Sequence, residues 1–125
     1  MTKAQRRRSR RKRSRLNYLA TLSRRNPDGF AREWRHILDG WSREVWRRAL
    51  ALLDEDGRPT ALAFDVIEEV RNLLRDCGPE TYEREWPTTR EVLTRTYCLA
   101  VSRATGRALS PRTFAELFRD RICTR

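Results

Sequence analysis

The chain has 125 residues, 38% apolar and 36% charged, enough for one small core and far too polar for a membrane-embedded fold. Its 28 Lys and Arg against 17 Asp and Glu leave a formal charge of +11, which favours polyanionic partners over cationic ones. Three widely spaced cysteines, Cys77, Cys98 and Cys123, with no C-x-x-C pair, argue against a disulfide scaffold and for a reducing compartment, cytoplasmic or nuclear rather than secreted.

The placement of the charge says more than its sum. Residues 1–25 carry 11 of the 28 cations and no acidic residue, which leaves 17 cations beside all 17 acids in 26–125. A merely soluble protein has no need for such segregation, whereas an arm that binds a polyanion does. Only Lys3 and Lys12 are lysines; guanidinium suits forked grips on phosphate and guanine and stacks on bases.

Residues 1–15 contain no apolar side chain larger than Ala after Met1, so this stretch has nothing to bury. It also lacks Gly and Pro, and its Arg, Lys, Gln and Ala are good helix formers once charge repulsion is relieved. The expectation is an arm over 1–16, disordered when free or helical on binding, joined to an all-helical domain over 17–125. From Leu16 the pattern changes. Leu16, Leu19 and Leu22 recur at helical spacing, so the arm leads into a helix that docks on the domain until Asn26-Pro27-Asp28-Gly29 breaks it.

Phe30, Trp34, Ile37, Leu38 and Trp41 follow a 3.6-residue period that Val45, Ala49, Leu52 and Leu53 continue, with Asp39-Gly40 as a candidate kink or break. Asp54 to Pro59 is a polar loop. Leu62, Val66, Ile67, Val70, Leu73, Leu74 and Cys77 form the cleanest amphipathic stripe, ended by Gly78-Pro79. Glu80 to Trp86 reads as a short helix or irregular segment ahead of Pro87. Thr88 and Glu91 then read as a capping box opening a helix with Val92, Leu93, Thr96, Tyr97, Ala100, Val101 and Ala104 inward and Gly106 at its end. Ser110-Pro111 caps a last helix bearing Phe114, Leu117, Phe118 and Ile122. The fold expected is all-α, a small bundle of five to six helices with a basic N-terminal arm.

The arm carries the chemistry. The cations of Arg6-Arg7-Arg8-Ser9-Arg10-Arg11-Lys12-Arg13-Ser14-Arg15 fall at i, i+3, i+4 and i+7 on several faces, so a helix here is positive nearly all round. A helix lying in a groove has phosphates on both sides and rewards that distribution. Duplex RNA hides its major groove, so such a helix needs a bulge, internal loop or hairpin to admit it. The nucleic-acid-binding set expected is Lys3, Gln5, Arg6, Arg7, Arg8, Arg10, Arg11, Lys12, Arg13, Arg15, Arg24 and Arg25.

The stretch Thr2 to Arg15 resembles the arginine-rich RNA-binding peptides of the lambdoid phage N antiterminators and of lentiviral Rev, which bind hairpin or bulged RNA as helices. The resemblance covers about a dozen residues, most visibly Ala4-Gln5-Arg6-Arg7-Arg8 and Arg10-Arg11, and implies the RNA-binding mode alone. Against N the Ala-Gln to triple-Arg spacing is one residue short; against Rev no Trp falls within the arm. Neither family implies the tryptophan-rich remainder.

Other readings attach to other residues. A basic run also serves as a nuclear-localisation signal, a nonspecific DNA tail or a ribosomal-protein-type extension. Membrane-surface binding is disfavoured because the arm lacks an apolar face to insert. Residues 104–117 resemble the turn and second helix of a helix-turn-helix, with Arg107, Arg112 and Thr113 facing nucleic acid if that unit reads DNA. His36 is the single histidine, with no His, Cys or carboxylate arrangement beside it that would make a metal or catalytic site, and the three cysteines read as buried small hydrophobes. Glycine-rich phosphate loops, nucleophile motifs and paired catalytic carboxylates are lacking, so the reading is non-enzymatic and without cofactor. Trp34, Trp41, Trp46 and Trp86 exceed what one small bundle buries, which leaves one or two for a protein partner or a second copy. The function expected is an RNA-binding accessory or regulatory protein of viral or mobile-element character, within a ribonucleoprotein assembly. A DNA-binding regulator and a packaging protein are the alternatives.

Overall fold

Thr2 starts the first helix. Its Oγ1 accepts from the Gln5 backbone N–H at 3.2 Å while Gln5 Oε1 accepts from the Thr2 N–H at 2.8 Å, a closed capping box that satisfies two helix-end donors at once. The computed structural model describes residues 2–119, without the side chains of 8–14; Ile122 and Cys123 lie outside the described residues. From that cap α1 runs unbroken from Lys3 to Arg25, so the arm and the docking segment are one helix.

Asn26 both ends α1 and begins the next helix. Its N–H reaches the Leu22 carbonyl at 2.8 Å and its Oδ1 accepts from Gly29 N–H at 3.0 Å. Pro27 follows at the first helical position, where its missing N–H is harmless and its φ is already helical. Helix α2 then spans Pro27–Arg48 and buries Phe30, Trp34, Leu38, Trp41 and Val45 along one face. The break expected at Asp39-Gly40 does not occur. Leu38 and Trp41 bury on either side of Gly40, and that burial outweighs the roughly 1 kcal/mol that glycine costs inside a helix.

The last turn of α2 tightens into a 3-10 turn, Ala49–Leu52, and the chain reverses through Asp54, whose Oδ1 accepts from the N–H groups of Asp56 and Arg58. Thr60 then caps α3 (Ala61–Asp76) by accepting from Ala63 N–H and ties it back by donating to the Ala51 carbonyl at 2.6 Å. The expected stripe is present: Ala63, Ile67, Val70 and Leu74 are buried, with Leu62, Val66 and Leu73 partly so.

Gly78, at φ 115°, makes the turn after α3 that an L side chain resists. Helix α4 starts at once with Pro79 and runs to Thr105, with Pro87 inside it. The sequence reading placed a new helix at a Thr88–Glu91 capping box; the structure corrects this. Residues 79–86 are held helical by α3: Arg71 Nε donates to Tyr82 Oη at 3.0 Å, and the Arg71 and Arg75 guanidinium groups sit 5.4 and 5.5 Å from the Trp86 and Tyr82 ring centres. That packing offsets the backbone hydrogen bond that Pro87 cannot make.

Gly106, at φ 72°, closes α4, and Ser110 caps α5 (Pro111–Leu117) through Thr113 N–H as expected. Among the described residues the fold is thus five α-helices and one 3-10 turn, without strands: a small all-α bundle. Helix α4 is its axis, packed against α2, α3, the 3-10 turn and α5, while α1 lies on α2 and α3. Trp34–Thr89 and Ser42–Thr96 hydrogen bonds put α2 and α4 side by side in parallel, and Tyr97 Oη donates to the Leu52 carbonyl at 2.7 Å in the buried centre. Tyr97, Phe114 and Phe118 close the α5 end with ring centres 4.6 to 5.4 Å apart.

Candidate nucleic-acid interface

Among the described side chains of α1, those packed on the body lie in its second half. Leu19 is fully buried, Leu16 and Leu22 pack against the core, and Ser23 is buried with its hydroxyl donating to the Ala20 carbonyl. Before Leu16 the described side chains of Lys3, Gln5, Arg6, Arg7 and Arg15 are all exposed, as are Arg24 and Arg25 at the far end. The side chains of Arg8, Arg10, Arg11, Lys12 and Arg13 lie outside the described residues, but their positions on α1 are fixed by its backbone.

At 1.5 Å per residue α1 is about 34 Å long, and the cations of residues 3–15 occupy every side of its first 20 Å or so. Such a helix repels itself. Like charges at i, i+4 destabilise by a few tenths of a kcal/mol per pair, and α1 has no acidic residue in its first turn to face the helix dipole. The salt bridges among the described residues join Glu44 to Arg47 and Arg48, Arg84 to Glu85, and Arg112 to Glu116. None of these involves Lys3, Arg6, Arg7, Arg15, Arg24 or Arg25, whose exposed side chains can meet an external anion.

One carboxylate that lines a groove with Arg15 is already engaged. Glu44 shares a groove wall with Arg15, but a hydrogen bond from Arg47, with Arg48 beside it, holds its carboxyl below the usual carboxylate range. Arg47 is raised by the same contact.

Sequence reasoning missed Tyr18. It is 56% exposed on α1, two residues past the first docked leucine, and helical register puts it on the stripe of Arg7, Arg11 and Arg25. An exposed ring on a cationic helix is able to offer its face to an unpaired base, because every base has a π-face. The signal was present in the register, since Tyr18 falls off the Leu16-Leu19-Leu22 face. Gln5 was expected on nucleic acid and stands in the capping box, where it starts the helix.

The second expected group is not gathered into one surface. The Arg107 guanidinium donates to the Glu55 carbonyl, fastening the α4–α5 loop to the loop after the 3-10 turn. Thr113 is engaged with Ser110 in the α5 cap, with their hydroxyls 3.0 Å apart. Arg112 is exposed and pairs with Glu116 at 3.7 Å along α5. Helix α5 is seven residues long and turns Phe114 into the core.

Trp34 and Trp41 are buried, Trp86 is half-buried against Arg71, and Trp46 is left 45% exposed on α2 beside an exposed Leu50. Cys77 and Cys98 are buried free thiols, pushed up to about 11 by desolvation, with Asp76 adding to the effect at Cys77. His36 is exposed, and no group of three or more metal-ligating side chains occurs among the described residues. No helix among them is long and apolar enough to cross a membrane. No family model, characterised protein or solved structure matches this chain.

Proposed function

We propose that this chain is a non-enzymatic RNA-binding accessory protein that captures structured RNA with α1. The observation that carries the reading is a single capped helix, anchored by Leu16, Leu19 and Leu22, whose outer half is cationic on all sides and forms no described ion pair with the body. The phosphates on both walls of an opened groove neutralise Arg6, Arg7 and their neighbours, relieving the helix's own repulsion. Tyr18 and spare guanidinium forks then meet unpaired bases, so a bulge or hairpin loop is preferred over a perfect duplex. Body and arm are rigidly related, because one helix serves both.

The test is to sequence the RNA that co-purifies after a high-salt wash and to measure binding of the recovered hairpin against bulk RNA at roughly 150 mM salt. Enrichment of one structured class, bound tighter than bulk RNA, supports the proposal. Equal affinity for all RNAs rejects structured recognition and leaves packaging. Sequence-specific duplex DNA binding that is lost on Arg112→Ala rejects RNA capture altogether.

A further inference from the structure

The outer faces of α4 and α5 enclose a groove of about 600 Å³ with an apolar wall of Cys98, Leu99, Leu109, Pro111, Phe114 and Ala115. Leu99 stands at its edge 56% exposed, a large aliphatic side chain placed beside an apolar hollow that no part of the described chain fills. One and two turns earlier on the same face lie Arg95 and Glu91. They are spaced i, i+4, the register in which a Glu and an Arg pair along a helix, yet no ion pair joins them, whereas Arg112 and Glu116 at the same spacing do meet. The surface therefore combines one knob, one hollow and two charges of opposite sign that no described contact satisfies.

We infer that this groove is the contact between two copies of the chain, with Leu99 of each entering the hollow of the other and Glu91 facing the partner copy's Arg95. A two-fold axis brings the same patch onto itself, so a knob beside a hollow is filled twice and a Glu–Arg couple is satisfied twice. An unrelated peptide partner would have to supply both features from a different sequence; a second copy supplies them by symmetry. No described side chain of helix α1 lines the groove. Dimerisation here leaves both basic arms unobstructed and doubles the number presented to one RNA, which raises avidity without any new RNA contact. The inference does not depend on what the arm binds.

The test is sedimentation of the full chain, freed of nucleic acid by nuclease and a salt wash, up to about 100 µM so that mass action favours association. The expected result is a species of twice the 14.9 kDa chain mass. Leu99→Glu returns it to a single chain with unchanged circular dichroism, because the side chain is exposed in the monomer. Glu91→Arg and Arg95→Glu each weaken the dimer, and the double variant restores it. Leu50→Glu, at a leucine still more exposed but on the 3-10 turn, leaves the dimer intact. A wild type that stays monomeric overturns the inference, as does a dimer indifferent to Leu99→Glu or a double swap that fails to restore association.

Discussion

The Trp34 indole N–H donates to Thr89 Oγ1 at 2.9 Å, and the two residues are 2% and 1% exposed, so α2 is fastened to α4 inside the core two residues past Pro87. Thr89→Val keeps the shape and removes the acceptor, leaving a buried donor unsatisfied. The expected loss is about 1–3 kcal/mol in urea unfolding, with Thr89→Ser losing clearly less because it keeps the hydroxyl. Equal losses for the two variants would show that the hydrogen bond contributes nothing.

Pro87 interrupts the backbone ladder of α4 at an exposed position. Pro87→Ala returns the N–H to the Glu83 carbonyl and removes the ring clash, so it is expected to stabilise the fold, by up to about 3 kcal/mol in the limit of a straight helix. A lower melting temperature would instead show that the seating of Trp86 against Arg71 requires the proline.

Tyr18→Ala separates binding from folding. The side chain is 56% exposed, so unfolding should shift by less than about 0.5 kcal/mol, while RNA affinity falls by about 1–3 kcal/mol through lost base stacking. Tyr18→Phe should bind nearly as the wild type does. Unchanged affinity for the alanine variant would remove Tyr18 from the interface.

Burial raises the Cys77 and Cys98 thiols from an ordinary value of 9.0 to about 11. Their native protons are held after the unfolded chain has lost its own, so stability is unaffected well below pH 9 and declines between about pH 9 and 11. At pH 8 peptide mapping should find both residues unalkylated by iodoacetamide in the native chain and alkylated in denaturant. Rapid native labelling of either would contradict their burial.

Much of this fold is legible in the residues because its signals are local. The stripe from Leu62 to Cys77, the Asn26-Pro27 junction and the Ser110-Pro111 cap each follow from spacing and capping chemistry within a few residues. The misreadings come from contacts distant in sequence. Pro87 looked like a helix boundary until Arg71 and Arg75, on another helix, held Tyr82 and Trp86; Gly40 looked like a break until Leu38 and Trp41 were both buried. The candidate site divides the same way. Charge segregation marks the arm without any structure, whereas the free edge of α1 that exposes Tyr18, and the tethering of Arg107 to Glu55, depend on where the helix docks and how two loops meet.

Deleting residues 2–15 tests the central claim most directly. The docked segment from Leu16 remains, so the shortened chain should keep its fold, and its affinity for hairpin RNA should be compared with the full chain across a salt series. The full chain should lose about three logs of affinity between 50 and 200 mM salt if about five phosphates are neutralised, and the shortened chain should show little binding to lose. A folded deletion variant that binds the same RNA with the same affinity and the same salt slope would contradict the assignment of α1 as the RNA-binding element.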